Sequence, residues 1–246
     1  MSLDTLSPQT IARRAAAEAA VALVESGMTL GLGTGDTAAH AIRAIAARQL
    51  SGLRCVATSS RSAVLARELG LPLFELDDIA PPSEAEAPPP IDLTIDGTDE
   101  VDAQLQLIKG GGGALLFEKL VAQASRRMVV IADEDKVVAR IGDKRALPIE
   151  IVSFGARHTF QRIVSLPMVS SAVVRTAGAG TEPFRTDSGH LIVDASLAPG
   201  GSAIELHRSL KLLLGVVETG LFCHEASIAF IGCQNGTVRT LVRPCP

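Results

Sequence analysis

Six acids, one lysine and a run of four glycines fall between Asp92 and Glu118, where the chain reads DLTIDGTDEVDAQLQLIKGGGGALLFE. Carboxylates pass protons, an ammonium balances an oxyanion, and glycines let backbone N–H groups come close to a ligand oxygen. Asp96, Asp99, Lys109, Gly110, Gly111, Gly112 and Glu118 are therefore candidates for one small-ligand site. Taken singly, each has an ordinary explanation: Asp-Gly and Gly-Gly pairs mark turns, and acids near helix starts meet the helix dipole favourably. The combination is more specific than its parts.

The elements that must hold these groups are legible around them. The apolar run 93–95 reads as a buried parallel strand that ends at Asp96, at the edge where open α/β sheets keep their sites. A second apolar segment, 105–108, delivers Lys109 and the glycines, and a helix starting near Ala114 places Glu118 about one turn in. Upstream, a helix opens at Ser7-Pro8, with serine as cap and proline at the first helical position, and an alanine-rich pattern carries it towards Ser26-Gly27. A strand over 28–32 then runs into Gly33-Thr34-Gly35-Asp36-Thr37, followed by a helix over 38–50, the arrangement in which amides at a helix N-terminus bind phosphate. Gly33, Gly35 and Ala38 also fit a loose dinucleotide fingerprint, but the acid expected some twenty residues on is replaced by Thr58-Ser59-Ser60. Those three residues end a strand over 53–57 and precede a helix over 61–69, so their hydroxyls are candidates to cap that helix or to donate to an oxyanion, two compatible roles. The strand 128–132 ends just before Asp133-Glu134-Asp135-Lys136, and Lys136 sits where a parallel strand would end. Residues 81–90, PPSEAEAPPP, read as an exposed, semi-rigid loop.

IDGTDEVD followed by LIKGGGGALLFEK resembles the signature of the A-type ribose-5-phosphate isomerase family. GLGTGDTAAHAI, ATSSRSAVLARELG, LPIEIVSFG, TDSGHLIVDA and GVVETGLF resemble further family segments and occur in the family's order. The resemblance implies an aldose–ketose isomerase that interconverts ribose 5-phosphate and ribulose 5-phosphate through an enediolate, with no cofactor and no metal. Asp96, Asp99, Lys109 and Glu118 match the family's catalytic set. Gly33, Thr34, Gly35, Asp36, Thr37, Ser59 and Ser60 would bind the far end of the sugar, with Gly110, Gly111, Gly112 and Lys136 also facing substrate. Homodimers or homotetramers are implied as well. The fold expected is α/β: a Rossmann-like, mostly parallel sheet flanked by helices (1–141 and 220–246), with a smaller α+β domain of ferredoxin-like type (142–219). Beyond residue 148 the interleaving of short strands near 150–152, 172–176 and 191–195 with helices near 159–165 and 202–214 points the same way. Residues 227–232 and 238–243 around Asn235-Gly236 read as a hairpin.

The chain departs from the family in three places. AGAGTEPFR stands where a Gly-Gly pair and an arginine are usual, leaving Arg185 as the nearest candidate, and Leu214 replaces a proline. Asp36 occupies a loop position that is usually serine. Two like charges about 4 Å apart at an effective dielectric near 20 cost on the order of 4 kcal/mol, so a carboxylate there would repel a dianion unless it turns away or caps the helix. On that argument, Asp36→Ser would tighten binding of phosphorylated pentoses.

Composition narrows the alternatives. With 47% hydrophobic and 20% charged residues, the 246-residue chain has enough apolar content for one large core or two modest ones. A net charge of -4 and a pI near 5.8 supply no basic field for nucleic acid, and the absence of Trp and Tyr removes most stacking platforms. Cys55, Cys223, Cys233 and Cys245 lack paired spacing, and His40, His158, His190, His207 and His224 are scattered, so neither zinc nor a redox dithiol is expected. No run reaches the length of a membrane span, and the charged N-terminal helix does not resemble a signal, so the cytoplasm is the expected compartment.

In an isomerase of this kind a base lifts a proton from carbon, a cation balances the enediolate oxygen, and an acid or base opens the ring. Glu118 is the expected carbon base, Lys109 with the glycine amides the oxyanion partner, and Asp96 and Asp99 share ring opening and hydroxyl orientation. Three other readings compete: a paralogue acting on another pentose derivative, a non-catalytic sugar-phosphate sensor, and an acyl-CoA transferase using Glu118 as nucleophile. The intact acid, lysine and glutamate set, and the lack of an evident DNA-binding helix pair, speak against the sensor.

Overall fold

The computed structural model describes residues 6–79 and 89–243. The described residues group into two units: those within 6–98, 117–137 and 224–243 form the first, and 99–116 with 138–223 the second. The stretch 99–116, which the sequence reading kept in the large domain, thus groups with the second unit. Of the 81–90 loop only the last two residues are described, and Cys245 also lies outside the described residues.

The first unit is built on a six-stranded sheet. Its strands are β1 (Thr29–Leu32), β2 (Arg54–Ala57), β3 (Leu93–Gly97), β6 (Met128–Asp133), β12 (Ala226–Gly232) and β13 (Val238–Val242), in the order β13-β12-β6-β3-β1-β2. All neighbours are parallel except the β12–β13 hairpin at one edge. β1, β3 and β6 are buried along their whole lengths, as strands covered on both faces must be. From β1 the chain steps outward to β2 on one side, and from β3 to β6 on the other, so the topological switch point lies between β1 and β3.

Helices α1 (Pro8–Val21), α2 (Asp36–Ala47), α3 (Ser60–Glu68), the single turn α4 (Leu76–Ile79) and α5 (Leu115–Gln123) accompany these strands. Ser7 caps α1 by accepting from the Thr10 amide, and Pro8 follows as read from the sequence. Ala12, Ala16, Ala17, Ala20 and Val21 form its buried stripe. This small-residue face lets α1 approach closely, and the space a side chain on Gly232 of β12 would need is taken by the Ala12 carbonyl. Leu30, Leu32, Ile42, Ile45, Leu93, Ile95, Val129 and Ile131 complete the core between helices and sheet.

The second unit contains a four-stranded antiparallel sheet made of β7 (Leu147–Ile151), β8 (Val169–Val174), β9 (Leu191–Leu197) and β10 (Val216–Thr219), ordered β10-β7-β9-β8. With α6 (Ala156–Val164) and α7 (Ala203–Lys211), the chain order is β7-α6-β8-β9-α7-β10, the ferredoxin-like arrangement expected from the sequence. Ile149, Ile151, Ile163, Val193, Leu206 and Leu210 lie in its core. A second, three-stranded sheet in this unit joins β4 (Glu100–Val101), β5 (Leu107–Ile108) and β11 (Leu221–Phe222) in the order β11-β5-β4. It was not anticipated, because two-residue strands carry no readable period.

Candidate active site

In the first unit the glycine loop and Asp96 are locked together at the switch point. The Gly33 amide donates to the Ile95 carbonyl (3.0 Å), and the Thr34 amide donates to Asp96 Oδ1 (3.0 Å). Asp96 Oδ1 also accepts from the Gly97 amide (2.7 Å), and the residue is fully buried. Asp96 fills the space where a side chain on Gly33 would lie, which is why glycine is required there. Gly35 has φ of 108°, a conformation natural to glycine, and caps α2 without a side-chain bond. The first intrahelical bond runs from the Ala39 amide to the Gly35 carbonyl, so the first-turn amides of Asp36, Thr37 and Ala38 have no intrahelical acceptor.

Behind the loop lies a cluster of hydroxyls. Thr34 Oγ1 is 2.8 Å from both Thr58 Oγ1 and Ser59 Oγ. Ser59 accepts from the Ser62 amide as the cap of α3 and donates to Ser62 Oγ, which itself donates to the Gly33 carbonyl (2.6 Å). One donor and two acceptor sites are all a hydroxyl has, and those of Ser59 are used inside the protein. Of the two roles open to Ser59 from the sequence, its side chain takes the structural one. Ser60 is exposed and Thr37 half-buried. Ser62 was missed by the sequence reading, and its only signal was its place three residues after a capping serine.

Asp36 does not face the loop as a bare anion. Its Oδ1 is 3.0 Å from Arg61 Nη2 and its Oδ2 is 3.4 Å from Arg13 Nη1. Arg13 reaches in turn to the buried Asp133 at the end of β6 (Nε to Oδ2, 3.0 Å). Lys136 occupies a single 3-10 turn, Glu134–Lys136, just beyond that strand end.

Glu118 lies in the first turn of α5 and is 4% exposed. Val121 and Ala122, three and four positions on, are also buried, and a side chain added to Gly31 of β1 would lie 2.6 Å from Val121 Cγ1. This stripe faces the sheet, with Glu118 one turn nearer the helix start. That start lies towards the C-terminal edge of a parallel sheet, where Gly33 and Asp96 also lie.

The second unit holds the rest of the predicted set. The Asp99 amide donates to the Ile108 carbonyl (2.8 Å), and Asp99 Oδ2 accepts from the Gly111 amide (2.7 Å). Lys109 leaves the end of β5, is 2% exposed, and places its Nζ 5.6 Å from the centre of the Phe222 ring. Gly110 and Gly113 have φ of 97° and 84°, and the Gly113 amide closes the turn on the Gly110 carbonyl (2.9 Å). Arg175, just after β8, was not singled out from the sequence. It donates to the carbonyls of Gly110 (2.9 Å) and Gly111 (3.1 Å) while its fork is held by Asp194. Arg185, the candidate that the sequence offered, donates from Nη1 to Ser153 Oγ and the Gly189 carbonyl.

Like Asp96 and Asp99, the acids Asp92, Glu100 and Asp102 of the opening stretch accept from backbone amides. Asp92 accepts from the Thr29 amide, Glu100 from the amides of Gly142, Lys144 and Arg145, and Asp102 from those of Gln104 and Gln106. Among the described residues no group of three or more His, Cys, Asp or Glu side chains could hold a metal ion. Burial pushes the Cys55 thiol up to about 12, so it is a packing residue.

A doubly flanked parallel sheet with an anion-ready glycine loop at its switch point, joined in one chain to a ferredoxin-like unit, defines a two-unit α/β protein equipped for acid–base chemistry. The family model for ribose 5-phosphate isomerase A (phosphoriboisomerase A) matches residues 54–236. A ribose-5-phosphate isomerase A of Sinorhizobium medicae is 50% identical over 232 residues, covering 92% of this chain and 95% of that protein. The solved ribose 5-phosphate isomerase of Plasmodium falciparum superposes with a TM-score of 0.86 at 35% identity, covering 96% of this chain and all of that one. A D-ribose-5-phosphate isomerase in complex with phospho-erythronic acid gives 0.85 at 31% identity, covering 94% and 97%. The chain belongs to the ribose 5-phosphate isomerase A family.

Proposed function

We propose that this protein interconverts D-ribose 5-phosphate and D-ribulose 5-phosphate through an enediolate. Beyond family membership, the observation that carries the reading is burial of opposite charges that core packing alone does not call for: Lys109 is 2% and Glu118 4% exposed. Such groups are almost never buried unless paired or put to use. The bound phospho-erythronic acid of the solved relative, an acid on a short phosphorylated chain, has the shape and charge of a trapped enediolate and supports the same chemistry here.

Glu118 takes the proton from C2 of the open-chain aldose and returns it to C1. Lys109 and the amides of the glycine run balance the charge on the oxygens at C1 and C2, between which the hydroxyl proton passes. Asp96 and Asp99 share ring opening and hydroxyl orientation. The phosphate lies against the first-turn amides of α2, with Gly33, Thr34, Gly35, Asp36 and Thr37 forming that end and Lys136 beside the strand edge. Aldose and ketose have the same oxidation state, so no hydride acceptor is needed.

Among the described residues no helix is long and apolar enough to cross a membrane. A cytoplasmic setting and a homo-oligomer belong to the same proposal. Phe154, Leu212 and Leu214, 85 to 95% exposed near the paired strands β7 and β10, support the latter. The test is a coupled assay of purified protein for ribulose 5-phosphate, with and without a chelator, alongside acyl-CoA labelling of Glu118. Ketose formation unaffected by chelator is expected; a labelled glutamate without ketose would replace the reading with acyl transfer.

A further inference from the structure

Arg61 has no role in the chemistry above. It is the second residue of α3, whose cap Ser59 and neighbour Ser62 are bonded to Thr34 and to the Gly33 carbonyl, so the base of this helix and the glycine loop form one assembly. Its guanidinium is held by Asp36, the first residue of α2, at 3.0 Å. Behind Asp36 the chain of charges continues through Arg13 to the buried Asp133, and side-chain exposure falls along it from 71% at Arg61 through 62% and 22% to 2%. Two acids and two bases alternate, so Asp36 is a bridge between cations and its repulsion of an incoming anion is offset.

An ion pair this exposed adds little to folding, so stability does not account for it. It fixes direction: one N–H of the fork is taken by Asp36, and the others remain for a ligand. Arg61 also lines, with Gly35, Ala39, Arg43, Ser62 and the acid Glu68, a groove between α2 and α3 that opens beside the N-terminus of α2. A planar guanidinium turned by Asp36 towards this groove suits a phosphate dianion, because it offers paired N–H donors.

We propose that Arg61, bracketed by Asp36, is a specificity-determining residue that recognises the phosphate of the substrate beside the first turn of α2. The proposal rests on the sugar-phosphate isomerase reading and deepens it, making Asp36 the positioning residue of the pair.

The test compares wild type, Arg61→Ala, Arg61→Lys, Asp36→Ala and the double variant for KM and kcat with ribose 5-phosphate, for inhibition by inorganic phosphate, and for melting temperature. Arg61→Ala is expected to raise KM and the phosphate inhibition constant together about ten-fold, with kcat within about two-fold and the melting temperature unchanged. Arg61→Lys restores part of the loss, and in the Asp36→Ala background the effect of removing Arg61 shrinks by at least half. An unchanged KM, an equal loss in both backgrounds, or a fall in kcat alone overturns the assignment. If wild type fails to isomerise ribose 5-phosphate, the isomerase reading falls. Calorimetric binding of inorganic phosphate to wild type and Arg61→Ala then still decides whether Arg61 holds the anion.

Discussion

Among single residues, several side chains have surroundings that leave them few roles. Glu118→Gln keeps size and polarity but cannot take a proton. It is expected to lower kcat by at least about 1,000-fold, within the range general-base catalysis supplies, while binding of a non-reacting analogue changes only a few-fold. Steady-state kinetics and calorimetry check the two halves. Gly33→Ala forces a methyl group against Asp96 and should displace that carboxylate and the Thr34 amide together. Displacements on the order of 1 Å cost about 100-fold in rate, so activity should fall far more than the melting temperature. The sequence named Asp96, Asp99, Lys109 and Glu118 by type and spacing. By type they were not separable from Asp92, Glu100 and Asp102, and amide partners do not separate them either, since Asp96 and Asp99 also accept from backbone N–H groups. Asp36 illustrates the same limit. Its charge was legible, but the arginines that meet it lie 23 and 25 positions away and only folding brings them there.

At the level of the elements, strongly patterned strands and helices lie within about three residues of where their periods put them, except that α1 ends at Val21 instead of near Ser26, and the two-residue strands were not foreseen. α1 begins at the predicted serine cap, and the β1–loop–α2 unit stands where the glycines put it, with α2 starting two residues earlier, at Asp36. The strands β4, β5 and β11, which carry Asp99 and Lys109 to their places, are two residues each and gain their stability from pairing with one another. Ser59 connects elements as both cap and hydroxyl partner. Ser59→Ala should cost about 1 kcal/mol or somewhat more, a fall of about 2–4 °C in melting temperature for a chain of this size. Differential scanning calorimetry measures it, with the Gly33 loop loosened and KM raised in parallel. His40 on α2 gives a pH signature. Burial and then Arg43, Arg13 and Arg14 hold its pKa below the usual 6.5, so the unfolded chain binds this proton more readily than the folded one. Stability contributed by neutral His40 is complete above about pH 6.5 and is lost as pH falls from there towards the lowered folded value. His40→Gln should flatten the fall in stability over that window in denaturant titrations run between pH 7 and 5.

Taken as a whole, the chain folds into two units of different construction. The first unit has a parallel sheet whose switch point carries open amides and the buried Asp96, and the buried Glu118 lies in the first turn of α5. The second unit holds Asp99 and Lys109, and Arg175 braces its glycine turn. Fold class and the ferredoxin-like unit were legible because strand and helix periods alternate in family order. The grouping of 99–116 with the second unit was not, since a boundary that crosses the chain several times leaves no mark in local composition. The central claim, that Glu118 carries hydrogen between neighbouring sugar carbons, is tested most directly by incubating ribose 5-phosphate in deuterium oxide and following the C1 and C2 positions by nuclear magnetic resonance. Wild type should form ribulose 5-phosphate with solvent deuterium entering at carbon, and Glu118→Gln should bind the sugar phosphate yet leave the carbon-bound hydrogen in place. Undiminished isomerisation and carbon exchange in Glu118→Gln would contradict the account.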